Sequence, residues 1–319
     1  MAVVIFENNL VKTEENESVL DALLRNGHDA PYGCKNGVCQ SCLMKSEAGD
    51  IPQAAQKGLT DQQKKMGYFL ACSCYPEGQL TIAKDNQEDK TNGEIQEITS
   101  LNDNVIKLRL KSDLQYYPGQ FVNLWRDDQI VRSYSLASVP NLDDALEFHI
   151  RHVENGQFSD WIKQTAKAQD NIQIQGPLGT CFYSYSEEGK DQPMLLAGIG
   201  TGLAPLYGIL RDALNQGHEG QIVLMVAAKE AKNLYLVKEL TDLSHRYPNL
   251  AVEFIAQSSD IDAIKQGDIY QEVKNMGSLT GFKVFLCGAD SFVKKMKKQC
   301  FLAGANMPDI LADSFLHSA

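Results

Sequence analysis

The chain lacks a long hydrophobic run, a basic excess and a basic-then-apolar leader, and each absence narrows what it can be. Its longest apolar stretch, Met194 to Leu210, is interrupted by four glycines and a proline and is too short to span a bilayer. The opening MAVVIFENN has neither the cationic start nor the apolar core of a secretory signal, so a cytoplasmic protein with no membrane partner is expected. Net charge is −11, with the acidic excess spread over the whole length. That argues against nucleic-acid binding, because a phosphate backbone needs a basic footprint. The same charge serves plain solubility or the approach to a partly basic protein surface. There is no recognisable Ser–His–Asp or paired-carboxylate motif, and no internal repeat. At 319 residues the chain exceeds one ordinary core and predicts two or three domains.

Cysteine, by contrast, is plentiful. Eight cysteines without a secretory leader indicate a reducing compartment, where thiols bind metal rather than pair. Cys34, Cys39 and Cys42 lie in GCKNGVCQSC, a C-x4-C-x2-C spacing, and Cys72 follows after a gap of 29 residues. This is the ligand pattern of a plant-type [2Fe–2S] cluster, with a potential on the order of −400 mV. A soft iron–sulfur core wants four thiolates from a loop that can wrap it, and Gly33 and Gly37 relieve crowding where backbone passes close. Zinc competes for four thiolates, but structural zinc prefers separate C-x2-4-C knuckles, whereas here the two gaps share a middle cysteine. Cys74 rivals Cys72 as the fourth ligand. Cys181 and Cys300 read as small buried hydrophobes.

Three segments differ in pattern, and they predict domains over 1–86, 94–186 and 190–319. The first has strands at Val3–Phe6 and near Leu10–Thr13, a helix from Ser18 to Asn26 stopped by Gly27, the cysteine loop, and a closing strand at Leu80–Ile82. This suits an α+β β-grasp domain. The polar stretch 83–93 reads as a linker. Alternation then dominates: Ile106, Leu108 and Leu110 against Lys107, Arg109 and Lys111, and Leu146, Phe148 and Ile150 against Glu147, His149 and Arg151. An antiparallel β-barrel is expected there. From Pro193 onward strands (Met194–Ala197, Ile222–Ala227, Val252–Ile255, Val284–Cys287) alternate with helices (Pro205–Gln216, Leu236–His245, Ser291–Gly304), predicting an α/β parallel-sheet nucleotide-binding domain.

Three further motifs follow the cluster loop in order. Arg132-Ser133-Tyr134-Ser135-Leu136-Ala137-Ser138 offers a cation, an aromatic face and hydroxyls on one strand, and resembles the flavin site of the ferredoxin–NADP reductase superfamily. Gly156-Gln157-Phe158-Ser159 precedes a helix expected to begin near Asp160; it suits phosphate, or is a plain helix cap. Gly198-Ile199-Gly200-Thr201-Gly202 forms a glycine-rich turn from strand to helix, without the standard dinucleotide spacing. Cys287-Gly288-Ala289-Asp290 ends a later strand. Together the motifs cover nearly the whole chain. It resembles the NADH-dependent reductase components of bacterial multicomponent oxygenases, in which an N-terminal ferredoxin domain is fused to flavin and pyridine-nucleotide domains.

That resemblance implies FAD as the flavin and an oxygenase component, or another iron–sulfur or di-iron protein, as electron acceptor. It places Arg132 on the flavin phosphates, Tyr134 on the ring and Ser135 toward N5. His149 and Ile150 would meet the flavin largely through backbone, and Gly156, Gln157, Phe158 and Ser159 would bind pyrophosphate. Thr201 would lie between flavin and nicotinamide, with Gly200 and Gly202 under the nucleotide, and Cys287 and Gly288 beside the nicotinamide. Ser135, Thr201 and Cys287 are thus the candidate catalytic residues, Cys287 having the alternative of a buried strand-end thiol. Phe315 would cover the flavin, or simply anchor the tail. The stretch Lys229 to Tyr235 has no arginine and an intervening Glu230, which favours NADH, with NADPH possible. Lys294, Lys295, Lys297 and Lys298 read as the solvated face of a packed helix or as a docking patch. A reductase for a deoxysugar dehydratase, and a nucleotide-inactive electron-transfer module, are the other functions this layout allows.

Overall fold

The computed structural model describes residues 2–84, 90–259, 261 and 263–316, which form three sheets in chain order. The first contains β1 (Val3–Phe6), β2 (Asn9–Lys12), β3 (Leu43–Ala48), β4 (Tyr68–Leu70) and β5 (Gln79–Lys84), ordered β2-β1-β5-β3-β4. One helix, α1 (Val19–Arg25), packs on it through Val19, Leu20, Ala22 and Leu23. Ser18 caps α1 by accepting from the Asp21 N–H at 3.1 Å, and Gly27 ends it at φ +75°, where a Cβ would be strained. This is a β-grasp unit. Two strands and the short α2 (Asp61–Lys65) escaped the sequence reading, because β3 leaves most of its residues exposed or half-buried and gives little alternation.

The second sheet comprises β6 (Lys90–Asn102), β7 (Val105–Lys111), β8 (Phe121–Trp125), β9 (Val131–Ser135), β10 (Leu146–Arg151) and β11 (Asn171–Leu178), ordered β10-β7-β6-β11-β8-β9. Every pairing is antiparallel. A bridge from Leu136 to Phe148 joins the two outer strands, so the sheet closes on itself. Ile106, Leu108, Leu110, Val122, Leu124 and Phe148 fill the inside. The expected linker over 83–93 needs correction. β5 continues through Lys84, and β6 begins at Lys90, where Lys90–Glu94 pair with Gln175–Asn171; residues 85–89 lie outside the described residues. Polar side chains on an outer strand face mimic a loop in sequence. The short α3 (Ser159–Gln164) follows the barrel's fifth strand.

The third sheet is parallel throughout: β12 (Met194–Ile199), β13 (Ile222–Glu230), β14 (Leu250–Ser258), β15 (Lys265–Gln266), β16 (Lys283–Ala289) and β17 (Ile310–Phe315), ordered β15-β14-β13-β12-β16-β17. Helices α4 (Leu203–Asn215), α5 (Val237–Arg246), α6 (Ile269–Asn275) and α7 (Asp290–Leu302) connect the strands. Along β12, Met194 and Leu196 enter one core and Leu195 and Ala197 the other, the double burial that makes such strands near-continuous apolar runs. On α7, Val293, Met296 and Cys300 are buried while Lys294, Lys295 and Lys298 face solvent. Strand order runs one way from β12 to β13 and the other way to β16. The crevice at the ends of β12 and β16 is therefore the topological switch point, where ligands of doubly wound sheets bind. No helix among the described residues is long and apolar enough to cross a membrane.

Candidate functional site

The cysteine loop between α1 and β3 carries Cys34, Cys39 and Cys42, and Cys72 follows β4; the four are 3–7% exposed, and none is in a disulfide. Among the described residues, no three Cys, His, Asp or Glu side chains gather closely enough to hold a single metal ion. The thiols instead make two pairs, Cys34 with Cys39 and Cys42 with Cys72. Hydrogen bonding within each pair holds Cys34 down to about 5 and Cys72 down to about 7, and pushes Cys39 and Cys42 up. Backbone N–H groups also point at sulfur: Asn36 and Cys39 at Cys34 Sγ, both 3.4 Å, and Cys34 at Cys39 Sγ, 3.3 Å. Two thiol pairs ringed by amide donors fit a two-metal, four-thiolate cluster better than one tetrahedral ion. The glycines matter here. A Cβ on Gly33 would lie 3.2 Å from Cys39 Sγ, and Gly37 sits at φ +72° with its Cβ position 2.7 Å from Ser73 Oγ. Cys74 is fully buried and pushed up to about 12 by burial alone, whereas Cys72 meets Cys42.

Beside this loop opens a cavity of about 700 Å³, in the range of ligand sites. Its wall takes residues from all three units: Cys34 and Cys39, then Arg132, Tyr134 and Ser135, then Thr201 and Phe315. His149 and the run Gly156, Gln157, Phe158 and Ser159 also line it. The Arg132 guanidinium donates to the Val131 carbonyl at 2.7 Å and to Gln157 Oε1 at 3.4 Å; Arg126 donates to the Gln157 carbonyl at 3.1 Å. Arg151, which the sequence reading left out, adds a further cation to the wall. The half-buried Tyr134 packs its ring 5.4 Å from that of Phe158 and faces the cavity, and burial pushes its phenol well up. Phe158 is otherwise a core residue, 1% exposed. Ser159 starts α3 one residue earlier than expected and caps nothing; its hydroxyl exchanges bonds with the Val153 backbone at 3.1 and 3.2 Å. His149 is buried, with Nε2 2.9 Å from Glu147 Oε1 and Nδ1 3.3 Å from the Tyr235 hydroxyl. Ile150 points into the barrel core and takes no part in the cavity wall.

At the switch point the chain turns at Gly200 (φ +56°) into α4, and Thr201 reaches the cavity. A Cβ on Gly202 would sit 2.1 Å from the Cys287 carbonyl, so only glycine lets this turn lie on β16. Gly288 has φ +143°. The Cys287 thiol is fully buried, 3.9 Å from Cys181 Sγ, and outside the cavity wall; burial, first of all, pushes it well up. Gly200, Gly202 and Gly288 are likewise absent from that wall. The residue the sequence reading missed is Asp313. It pairs with Cys287 across β16 and β17, lines the cavity, and accepts a 2.7 Å hydrogen bond from Ser135 Oγ. Its outer edge faces the cavity, but protein surrounds the rest, and this burial raises it to about 6. A lone carboxylate within the apolar ILADSF was the available signal.

Comparison with known proteins agrees with this layout. Residues 6–77 match the 2Fe-2S iron-sulfur cluster binding domain, 92–183 the oxidoreductase FAD-binding domain, and 195–298 the oxidoreductase NAD-binding domain. The chain is 28% identical to the ferredoxin–NAD(P)(+) reductase component of the naphthalene 1,2-dioxygenase system of Pseudomonas putida, over 97% of this chain and 96% of that one. It is also 28% identical to the reductase component of phenol 2-monooxygenase from Pseudomonas sp. (strain CF600), over 88% and 84%. Among solved structures it resembles the Amycolatopsis cytochrome P450 reductase GcoB, at TM-score 0.71 and 25% identity, covering 99% of each chain. The chain thus belongs to the oxidoreductases that join a 2Fe-2S cluster domain to FAD-binding and NAD-binding domains, the family of the reductase components of multicomponent oxygenases.

Proposed function

We propose that this reductase takes electrons from NADH and delivers them, through FAD and its [2Fe–2S] cluster, to a partner oxygenase in the cytoplasm. The observation that carries this reading is the single cavity walled at once by Cys34 and Cys39, by the flavin strand and by Thr201. FAD takes two electrons as a hydride and releases them singly, which matches a two-electron donor to a one-electron cluster. What the chain supplies is binding, orientation and proton placement. Cys34, Cys39, Cys42 and Cys72 hold the cluster, and Arg132 with the Gly156–Ser159 backbone holds the flavin phosphates. Tyr134 packs on the ring and Phe315 closes the cavity from β17. Ser135 has its proton committed to Asp313, so Oγ keeps lone pairs to accept from an N–H facing the cavity, and a proton given up by that N–H to Oγ would be balanced by the hydroxyl proton passing to the Asp313 carboxylate. Gly200, Gly202 and Gly288 let the nicotinamide nucleotide approach backbone, with Cys287 beneath as packing rather than as a nucleophile. We take 1–86, 94–186 and 190–319 as the three functional units, the middle one extended back to Lys90. NADH-driven cytochrome c reduction by the cofactor-loaded protein tests the proposal, and the absence of turnover would overturn it.

Two substitutions probe the binding roles. Tyr134→Ala weakens FAD retention roughly tenfold, as loss of a packed aromatic face does, and spares the cluster absorbance. Fluorescence titration of the stripped protein with FAD reads this, and unchanged affinity would contradict the ring contact. At the end of β13, the half-buried Glu230 pairs with Lys232 at 2.9 Å and stands where a dinucleotide's second ribose lies in such sheets. Glu230→Arg is expected to raise kcat/KM for NADPH relative to NADH about tenfold, by replacing repulsion of a 2′-phosphate with attraction. An unchanged ratio would move the selectivity elsewhere.

A further inference from the structure

In the run Phe121-Val122-Asn123-Leu124-Trp125 one residue breaks an otherwise apolar strand, and it is fully buried. Val122 and Leu124 point into the barrel, so Asn123 lies on the outer face, where an amide is ordinarily solvated. Here the cysteine loop covers it. Asn123 Nδ2 donates to the Cys39 carbonyl at 2.7 Å and to Gln175 Oε1 at 3.2 Å, and its Oδ1 accepts from Ser133 Oγ at 2.7 Å. Ser133, Asn123 and Gln175 are direct partners across β9, β8 and β11 and form one polar row. Gln175 Oε1 also accepts from Trp125 Nε1 at 3.3 Å, which fixes its amide. A second contact joins the same two units, a parallel bridge between Tyr32 and Ile130.

We propose that Asn123 is a positioning residue that seats the cluster loop on the flavin unit and thereby sets the step by which one electron passes from flavin to cluster. The inference rests on the relay reading above. Ser133 belongs to the strand that carries Arg132, Tyr134 and Ser135, and Cys39 is a cluster thiolate. The row Ser133–Asn123–Cys39 is therefore a continuous hydrogen-bonded connection from one redox site to the other, with both ends of the fully buried Asn123 amide partnered. No bond to a substrate is made or broken by Asn123; one electron leaves the flavin and enters the cluster. Electron transfer across a protein gap falls steeply with distance and disorder, so loosening this seat slows that step and leaves the hydride step, which involves the barrel and the parallel sheet, unaffected.

Asn123→Ala and Ser133→Ala, loaded with FAD and iron, are mixed anaerobically with NADH in a stopped-flow spectrometer, with flavin and cluster bleaching followed separately. Hydrogen exchange of the 33–42 backbone is measured on the same samples. For Asn123→Ala the expected result is flavin bleaching within about twofold of wild type, cluster bleaching slowed roughly tenfold or more, and faster exchange over 33–42. Ser133→Ala, which only unpins the amide, should change both in the same direction by less. Unchanged cluster bleaching and exchange in Asn123→Ala, with full iron and FAD, overturns the seat alone. A wild-type protein whose flavin bleaches while its cluster never does overturns the relay and this proposal with it.

Discussion

Cys39→Ser is expected to abolish the visible absorbance of the iron–sulfur cluster and its low-temperature EPR signal, while NADH still bleaches the flavin. Serine keeps the small side chain but offers a hard alkoxide donor that binds iron–sulfide poorly, and Cys39 is a member of one of the two thiol pairs. Iron content falls to the baseline of the assay, and one-electron acceptors that need the cluster lose essentially all turnover. Hydride uptake depends on the barrel and the parallel sheet, whose cores share no side chain with that of the β-grasp unit, so it survives. Cys74→Ser is the control. That thiol is fully buried and pairs with none of the four cluster thiols, so the cluster remains and the cost, about 1–3 kcal/mol, is that of burying a hydroxyl in the β-grasp core. Loss of cluster in Cys74→Ser with retention in Cys72→Ser would reverse the ligand assignment. Simultaneous loss of flavin and cluster in Cys39→Ser would contradict the modular reading.

The second large effect lies at Ser135 and Asp313. Ser135→Ala is expected to slow flavin bleaching by NADH about 10²-fold, the usual scale for removing one positioned polar group from a redox or acyl centre. Asp313→Asn keeps an acceptor for the serine but cannot titrate, so the inflection near pH 6 in the wild-type pH–rate profile disappears. Stability moves the other way. The folded value of about 6 lies above the ordinary carboxylate range, so the stabilisation it represents is complete below pH 4 and is lost as pH rises to 6. Wild type and Asp313→Asn therefore unfold together near pH 4, while at pH 7.5 the variant is the more stable, by up to about 3 kcal/mol. Denaturant midpoints at the two pH values measure this, and a variant less stable at pH 7.5 would remove Asp313 from its buried setting.

Much of this architecture could be read from residue order. The cysteine spacing, the alternation at Ile106–Lys111 and the apolar strand before Gly198 each follow from a period or a ligand count, so the cluster loop, the barrel and the parallel sheet emerged with fold class intact. What escaped has physical reasons. β3 is largely solvated, β4 is only three residues long with Phe69 and Leu70 buried side by side, and α2 lies at the surface behind its Thr60–Gln63 capping box, so none shows a readable period. The start of β6 passed for linker because hydrogen-bonding partners eighty residues away cannot be seen in a polar sequence. Asp313 and Asn123 were missed for a shared reason. Each is one polar residue in an apolar strand, and its meaning depends on what another unit lays against it: Ser135 in one case, the Cys39 carbonyl in the other. Ile150, expected to meet the flavin largely through backbone, keeps its side chain in the barrel interior, and Phe158 lines the cavity while packing chiefly into that same interior.

The cavity's wall has a consequence for how the molecule holds together. Because three independently cored units each contribute part of one surface, whatever fills it acts as a rivet as well as a reagent. A tightly held dinucleotide at a hundred times its dissociation constant adds about 2.7 kcal/mol to the assembled arrangement and less to the separated pieces, of which the barrel keeps Arg132, Tyr134 and Gly156–Ser159 but loses the rest of the wall. Depleting the cell of flavin would then do more than idle the enzyme: it would remove that increment and leave the seams to direct contacts such as Arg211 on Asp143 and Asn123 on the Cys39 carbonyl.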